Sequence, residues 1–107
     1  MRLMLLQTTT TESNAKILIK VALGCGLSPC IQQMQIQSHY MWAKDSKTLE
    51  VVNENEILLS FKVFKKDFKA LKKLLLKHHT YELPEIIGIH LQKVSKPYKK
   101  WCKSAFA

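Results

Sequence analysis

The sequence predicts an α+β domain with the ferredoxin-like βαββαβ plan, an antiparallel sheet with two helices on one face, followed by a C-terminal helix. Segments with the two-residue period of strands alternate with segments of helical period. Right-handed crossovers make this order of elements favour a split-βαβ sheet. With 107 residues the chain is long enough to form one domain, residues 1–107, around its own core.

The first strand and helix are predicted from the N-terminal third. Residues 3–6 form a short apolar run, typical of a buried strand. Thr9 and Glu12 have the spacing of a capping box, which predicts the start of a helix. The apolar residues that follow share one helical face: Ala15, Leu18, Ile19, Ala22 and Leu23. Gly24 and Gly26 predict its end, because glycine readily takes the left-handed conformation of a C-terminal cap.

A long hairpin is predicted next. Alternation along residues 29–42 predicts a strand that carries Tyr40 and Trp42 on one side. Residues 45–55 are polar and are expected to contain the turn, and alternation from Ile57 to Val63 predicts the returning strand. Long exposed strand edges pair readily with other chains. We therefore expect residues 31–44 and 54–64 to pair with neighbouring subunits.

The second half returns to a helix, a strand and a last helix. Residues 65–79 have helical spacing, with an apolar stripe that His78 extends. Residues 85–94 are rich in Ile, Leu and Val and predict the fourth strand. Pro97 is expected to open a short helix that carries Tyr98 and Trp101, because proline is favoured in the first turn.

Charge is distributed unevenly. The formal net charge of +9 lies within residues 62–107, which hold twelve lysines against three acidic residues. Lysine without arginine gives point-charge contacts instead of forked phosphate recognition, and the predicted strands carry no basic–aromatic run of the RNA-binding type. The pattern indicates a solvated helix face, so we expect no nucleic-acid partner.

The three cysteines, Cys25, Cys30 and Cys102, are odd in number and form no CxxC motif, so the sequence indicates neither a disulfide framework nor a zinc knuckle. We expect reduced thiols in a cytoplasmic protein, with Cys30 buried and Cys102 more exposed. Residues 1–7 are too short for a signal-peptide core, and no stretch has the length of a membrane span. We therefore expect no membrane partner.

The most informative segment is residues 79–86, which we call the connector. Pro84 holds the preceding residue in an extended conformation and cannot continue a helix. The connector carries an imidazole, a phenol and two carboxylates between a helix and a strand, and such connections often carry function. It resembles the signature of the CutA divalent-cation tolerance family, with Thr80 in place of a proline and Leu83 in place of a valine.

Further motifs extend the resemblance over nearly the whole chain. They are the Tyr40-x-Trp42 pair of the long strand, Glu56 with Lys62 on the next strand, and Tyr98-x-x-Trp101 of the last helix. Three features depart from the family pattern: Gln32 and Lys44 replace an asparagine and a glycine, and the turn region at residues 47–53 is longer. The resemblance implies a PII-like homotrimer formed through sheet edges, with a role in divalent-cation tolerance.

Copper binding is implied by two adjacent histidines, which in the family act with a cysteine at the end of the first strand. His78 and His79 stand at the histidine positions, but Gln7 stands at the cysteine position. Adjacent side chains on a helix diverge by about 100°, so both reach one ion only where the helix unwinds. The alternative is that His78 packs on the helical stripe and His79 caps the helix end. We expect any copper binding to be weak.

The resemblance also implies a cleft between subunits, lined by Tyr81, Glu82 and Glu85 with Trp42 or Trp101 of an adjoining subunit. Structural packing of the connector is the alternative reading. A PII-like sensor that binds a small anionic ligand in this cleft is the alternative function. The sequence contains no Ser-His-Asp arrangement, Gly-rich phosphate loop or HExxH motif, so we expect no enzymatic activity.

Overall fold

The computed structural model describes residues 1–43, 45 and 47–106. The elements are β1 (Leu3–Thr10), α1 (Glu12–Gly24), β2 (Ile31–Ala43), β3 (Leu49–Phe64), α2 (Phe68–His78), β4 (Ile87–His90) and α3 (Lys96–Ser104). One turn of 3-10 helix, Lys65–Asp67, leads into α2. The strand order is β2-β3-β1-β4, and every neighbouring pair is antiparallel. The α+β ferredoxin-like prediction is confirmed.

The larger of two apolar clusters joins α1 and α2 to one face of the sheet. On the sheet, alternate residues of β1 and β3 are buried, as expected when only one face is covered. The largest fully buried side chains are Leu6, Leu59 and Phe61 from the strands and Leu18 and Leu71 from the helices. Burying aliphatic or aromatic side chains of this size stabilises the fold by roughly 1.5–3 kcal/mol each.

A second, smaller cluster packs α3 against the end of the sheet. Its buried members are Leu3, Phe64 and Cys102. Cys102 is only 2% exposed, so the expectation that it would be the more exposed thiol is wrong. The apolar face of a short helix buries this thiol, whereas Trp101 beside it points away and is 48% exposed.

The first helix starts two residues later than predicted. The N-cap is Thr11, whose hydroxyl accepts a hydrogen bond from the Asn14 backbone N–H at 3.2 Å. Thr9 instead continues β1, where it pairs with Leu58 of β3. The strand pairing of Thr9 with β3 therefore prevents it from acting as the N-cap that the capping-box spacing predicts. The hydroxyl of Thr10 also donates a hydrogen bond to Asn14 Oδ1 at 2.6 Å.

Two strand predictions are also wrong in their bounds. Strand β3 begins at Leu49, so the predicted turn at residues 45–55 is too long. Its polar residues pair with β2 from Ala43↔Leu49 onward. Strand β4 spans only Ile87–His90 instead of residues 85–94, because it pairs with just four residues of β1. The hairpin of β2 and β3 accordingly reaches far beyond the core; Lys44 lies outside the described residues.

Candidate functional site

The hairpin presents a row of side chains on the sheet face opposite the helices. Directly paired residues of antiparallel strands project to the same side. Tyr40 pairs with Val52, Trp42 with Glu50, and Ser38 with Glu54. Glu54 therefore lies on the same side as the two aromatic residues that the sequence motif contains.

His79 anchors the start of the connector where α2 ends. It takes an extended conformation, and its Nδ1 accepts a hydrogen bond from the Tyr81 backbone N–H at 3.1 Å. In a neutral ring the proton then lies on Nε2, which donates to the Thr9 carbonyl at 3.1 Å and lies 3.1 Å from Thr8 Oγ1. Burial lowers the pKa of His79, partly opposed by the bond to Thr9. Both ring nitrogens are thus engaged within the fold.

Tyr81 ties the connector to strand β3. Its hydroxyl donates to Glu56 Oε2 at 2.6 Å, and Glu56 is only 7% exposed. Burial raises the pKa of Tyr81 strongly, and the hydrogen bond to Glu56 raises it further. The phenol therefore remains protonated and keeps donating to the carboxylate near neutral pH. This contact fixes the distance between the connector and the hairpin.

Between the hairpin and the connector lies a cavity of about 760 Å³, which we call the pocket. It is lined by Thr9, by residues 38–40, 42, 52 and 54 of the hairpin, and by residues 80–83 and 85 of the connector. Its size is within the range of ligand sites in proteins, roughly 300–1,000 Å³. Four of the five predicted cleft residues line it within one chain: Trp42, Tyr81, Glu82 and Glu85.

The fifth predicted cleft residue lies elsewhere. Trp101 is on α3, where its ring stacks on Tyr98 with 5.8 Å between the ring centroids. It is absent from the lining of the pocket. The prediction that Trp101 joins the cleft from an adjoining subunit concerns a second copy of the chain and stays a prediction.

Sequence reasoning missed Glu54 as a pocket residue. It falls within residues 45–55, the predicted polar turn, although its two-residue spacing from Val52 and Glu56 is the spacing of a strand. In the structure a hydrogen bond with Glu54 raises the pKa of Tyr40. The rings of Tyr40 and Trp42 meet edge to face, with centroids 6.4 Å apart. The pocket therefore combines carboxylates with aromatic walls.

The predicted metal residues occupy the junction of α2 and the connector. His78 is the last residue of α2, and its backbone carbonyl accepts a hydrogen bond from Asn14 Nδ2 at 3.0 Å. A metal ion at His79 would have to displace one of the hydrogen bonds of its ring. Among the described residues, no group of three or more His, Cys, Asp and Glu side chains is arranged to hold a metal ion.

Comparison of the sequence with models of protein families agrees with the fold and with these motifs. The model of the CutA1 divalent ion tolerance proteins matches residues 3–105. The chain belongs to this family. The resemblance of the connector, the strand motifs and the last helix is thereby confirmed as a family relationship.

Relatives and solved structures support the same assignment. A probable divalent-cation tolerance protein cutA homolog of Encephalitozoon cuniculi is 32% identical over 73% of the chain, and the match spans 64% of that relative's length. The divalent-cation tolerance protein CutA of Thermus thermophilus is 27% identical over 90% of the chain and 89% of its own length. The structure of CutA from Synechococcus elongatus matches with a TM-score of 0.89 and 32% identity, covering 99% of this chain and 91% of that one.

None of the helices in the described part of the chain has the length and apolar character needed to cross a membrane.

Proposed function

We propose that the chain serves divalent-cation tolerance as a non-catalytic binding protein, and that the pocket between hairpin and connector is its ligand site. One observation carries this proposal: the family signature and the Tyr40-x-Trp42 motif, about 40 residues apart in sequence, line one cavity of about 760 Å³. The bond from Tyr81 to Glu56 supports it further, because it holds the two walls in a fixed relation before any ligand arrives. Such preorganisation lowers the cost of binding.

Self-association into a homotrimer is part of the proposal. The hairpin extends from the core, and β2 forms one edge of the sheet. The hairpin carries exposed apolar side chains, among them Met34 and Met41 of β2 and Leu49 and Val51 of β3, each more than half exposed. Covering these side chains and pairing the open edge would remove an aggregation hazard. In such a trimer Trp101 of an adjoining subunit would complete the cleft.

Sedimentation equilibrium tests the trimer. We expect a mass three times the 12.4 kDa of one chain, unchanged over a wide range of protein concentration. A stable folded monomer at micromolar concentration would contradict the assembly. Fractionation of cells that express the chain tests the expected cytoplasmic location.

Copper binding at His78 and His79 stays a prediction. Chelator-stripped protein titrated with copper, beside a variant in which both histidines are replaced by alanine, tests it. Protons compete with metal for imidazole nitrogens, so affinity at this pair is expected to fall as the pH drops through the histidine range. Equal copper affinity in the double variant would remove this site, while leaving the pocket proposal untouched.

Backbone amide NMR tests the pocket itself. The labelled chain is mixed with a panel of small organic cations and anions, and the resonances that shift are mapped. We expect at least one compound to shift residues 38–42, 52–54 and 80–85 together. Shifts confined to other surfaces, or none with any compound of either charge, would overturn the pocket as a ligand site.

A further inference from the structure

The pocket has the opposite charge to the chain as a whole. The chain carries a formal net charge of +9, yet three carboxylates line the pocket, those of Glu54, Glu82 and Glu85, and no lysine or arginine is among its described lining residues. The lysines of residues 65–77 lie instead on α2 and on the 3-10 turn that precedes it, on the helix-covered face of the sheet. A small anion entering the pocket would therefore meet acceptors of its own sign.

The histidine and tyrosine donors that line the pocket are already engaged within the fold. His39 is the one histidine among the described lining residues, and its Nδ1 donates to Asn53 Oδ1 across the hairpin. The two tyrosine hydroxyls are also engaged with carboxylates, Tyr81 with Glu56 and Tyr40 with Glu54. Within one chain an anion would thus find few free donors, whereas the exposed carboxylates of Glu82 and Glu85 can contact a cation.

Aromatic rings form the walls between these carboxylates. Tyr40 and Trp42 meet edge to face, and Tyr81 lies at the opposite, connector side. A ring face attracts an ammonium ion within about 6 Å of its centroid. Organic ammonium groups bind where carboxylates neutralise their charge and the rings of tryptophan and tyrosine contact them.

A bare metal ion suits the pocket less well. Divalent ions need several oxygen, nitrogen or sulfur ligands converging on one point. In the described part of the chain no three candidate side chains converge in this way. The carboxylates are instead spread over two walls of a cavity of about 760 Å³, a volume suited to a ligand of many atoms.

We propose that the pocket binds a small organic ammonium ion, with Glu82 and Glu85 neutralising its charge and the rings of Tyr40 and Trp42 packing against its charged nitrogen. This inference rests on the proposed ligand site and names the class of ligand. It replaces the small anion of the PII-like alternative by a cation. Because the net charge of +9 lies in residues 62–107, their lysines repel such a cation, and we expect it to bind at one site per chain.

Calorimetry with spermidine as the cationic probe and ATP as the anionic probe tests the proposal. We expect spermidine to bind once per chain and ATP not to bind in the pocket. Glu82→Gln with Glu85→Gln should weaken spermidine binding about tenfold, since each exposed ion pair contributes about a threefold change. Trp42→Leu should weaken it about two- to fivefold through loss of the cation–π contact.

Glu12→Gln is the matched control. It removes one carboxylate by the same chemical change, but Glu12 lies in the first turn of α1, outside the pocket. Unchanged spermidine affinity in this variant supports the proposal, and a threefold loss there, equal to the loss expected for each pocket carboxylate, would show non-specific charge attraction and overturn it. A Mg²⁺ titration that displaces spermidine at equal concentration would also overturn it, in favour of a metal site.

The two proposals fail differently. If ATP shifts the pocket resonances and spermidine does not, the pocket remains a ligand site and the cation inference is wrong. If neither probe, nor any compound of the mixed panel, acts on residues 38–42 and 80–85, both proposals are wrong.

Discussion

Replacing Tyr81 by phenylalanine removes one hydroxyl and leaves the ring in place. The lost bond is the 2.6 Å contact that the phenol donates to Glu56 Oε2, in a carboxyl group only 7% exposed. Hydrogen bonds to charged groups contribute about 1.5–3 kcal/mol, and a buried acceptor left without a donor is costly. We expect the variant to lose about 2 kcal/mol of unfolding free energy, about a thirtyfold change in the folding equilibrium.

Urea unfolding followed by circular dichroism measures this loss, at one fixed protein concentration because assembly couples to stability. Glu56→Gln is the partner variant, since its amide still presents an acceptor oxygen and should cost less than Tyr81→Phe. Residues in direct contact couple by about 0.5–3 kcal/mol in a double-mutant cycle. A loss below about 0.5 kcal/mol for Tyr81→Phe, or additive losses in the double variant, would refute the proposed anchoring of the connector to β3.

Three further predictions concern stability, each measured by urea unfolding. In Gly88→Ala the new Cβ would lie 2.8 Å from Phe68 Cζ, so we expect a loss of about 1–3 kcal/mol from overpacking; a neutral result would mean that the ring moves aside freely. Burial lowers the pKa of His79 from its usual 6.5, so the stability that it contributes is present above that value and is lost as the pH falls below it. His79→Gln should therefore flatten the decline of stability between about pH 7 and about pH 5, and an unchanged decline would contradict the assignment. Leu6→Ala, at a fully buried site of β1, should cost about 2–5 kcal/mol, whereas Leu83→Ala, 75% exposed, should cost less than about 0.5 kcal/mol.

The fold could be predicted because apolar residues recur along its strands and helices with the spacing typical of each element. The alternation that carries Tyr40 and Trp42 is a strand pattern, and the stripe through Leu71 and Leu75 is a helix pattern. Residues 49–56 could not be assigned in the same way. Asn and Glu are depleted in strands, and here the hairpin pairing with the preceding strand β2 holds them in the sheet.

Only some residues of the candidate site could be predicted from the sequence. The connector signature indicated Tyr81, Glu82 and Glu85, and the strand motif indicated Trp42, because each forms a compact local pattern. The hydrogen bond from Tyr81 to Glu56 joins residues 25 positions apart in the sequence, so no local sequence pattern predicts it. The bond between Nε2 of His79 and the Thr9 carbonyl likewise joins distant positions, because the fold brings Thr9 beside the end of α2.

Growth in copper-containing medium tests the central claim most directly. A bacterial strain that lacks its own CutA-family protein is supplied with the chain, with the Glu82→Gln and Glu85→Gln variant, or with the Glu12→Gln control, at matched expression. If the pocket serves divalent-cation tolerance, the chain and the control restore growth and the pocket variant does not. A pocket variant that restores growth as fully as the unaltered chain would contradict the claim.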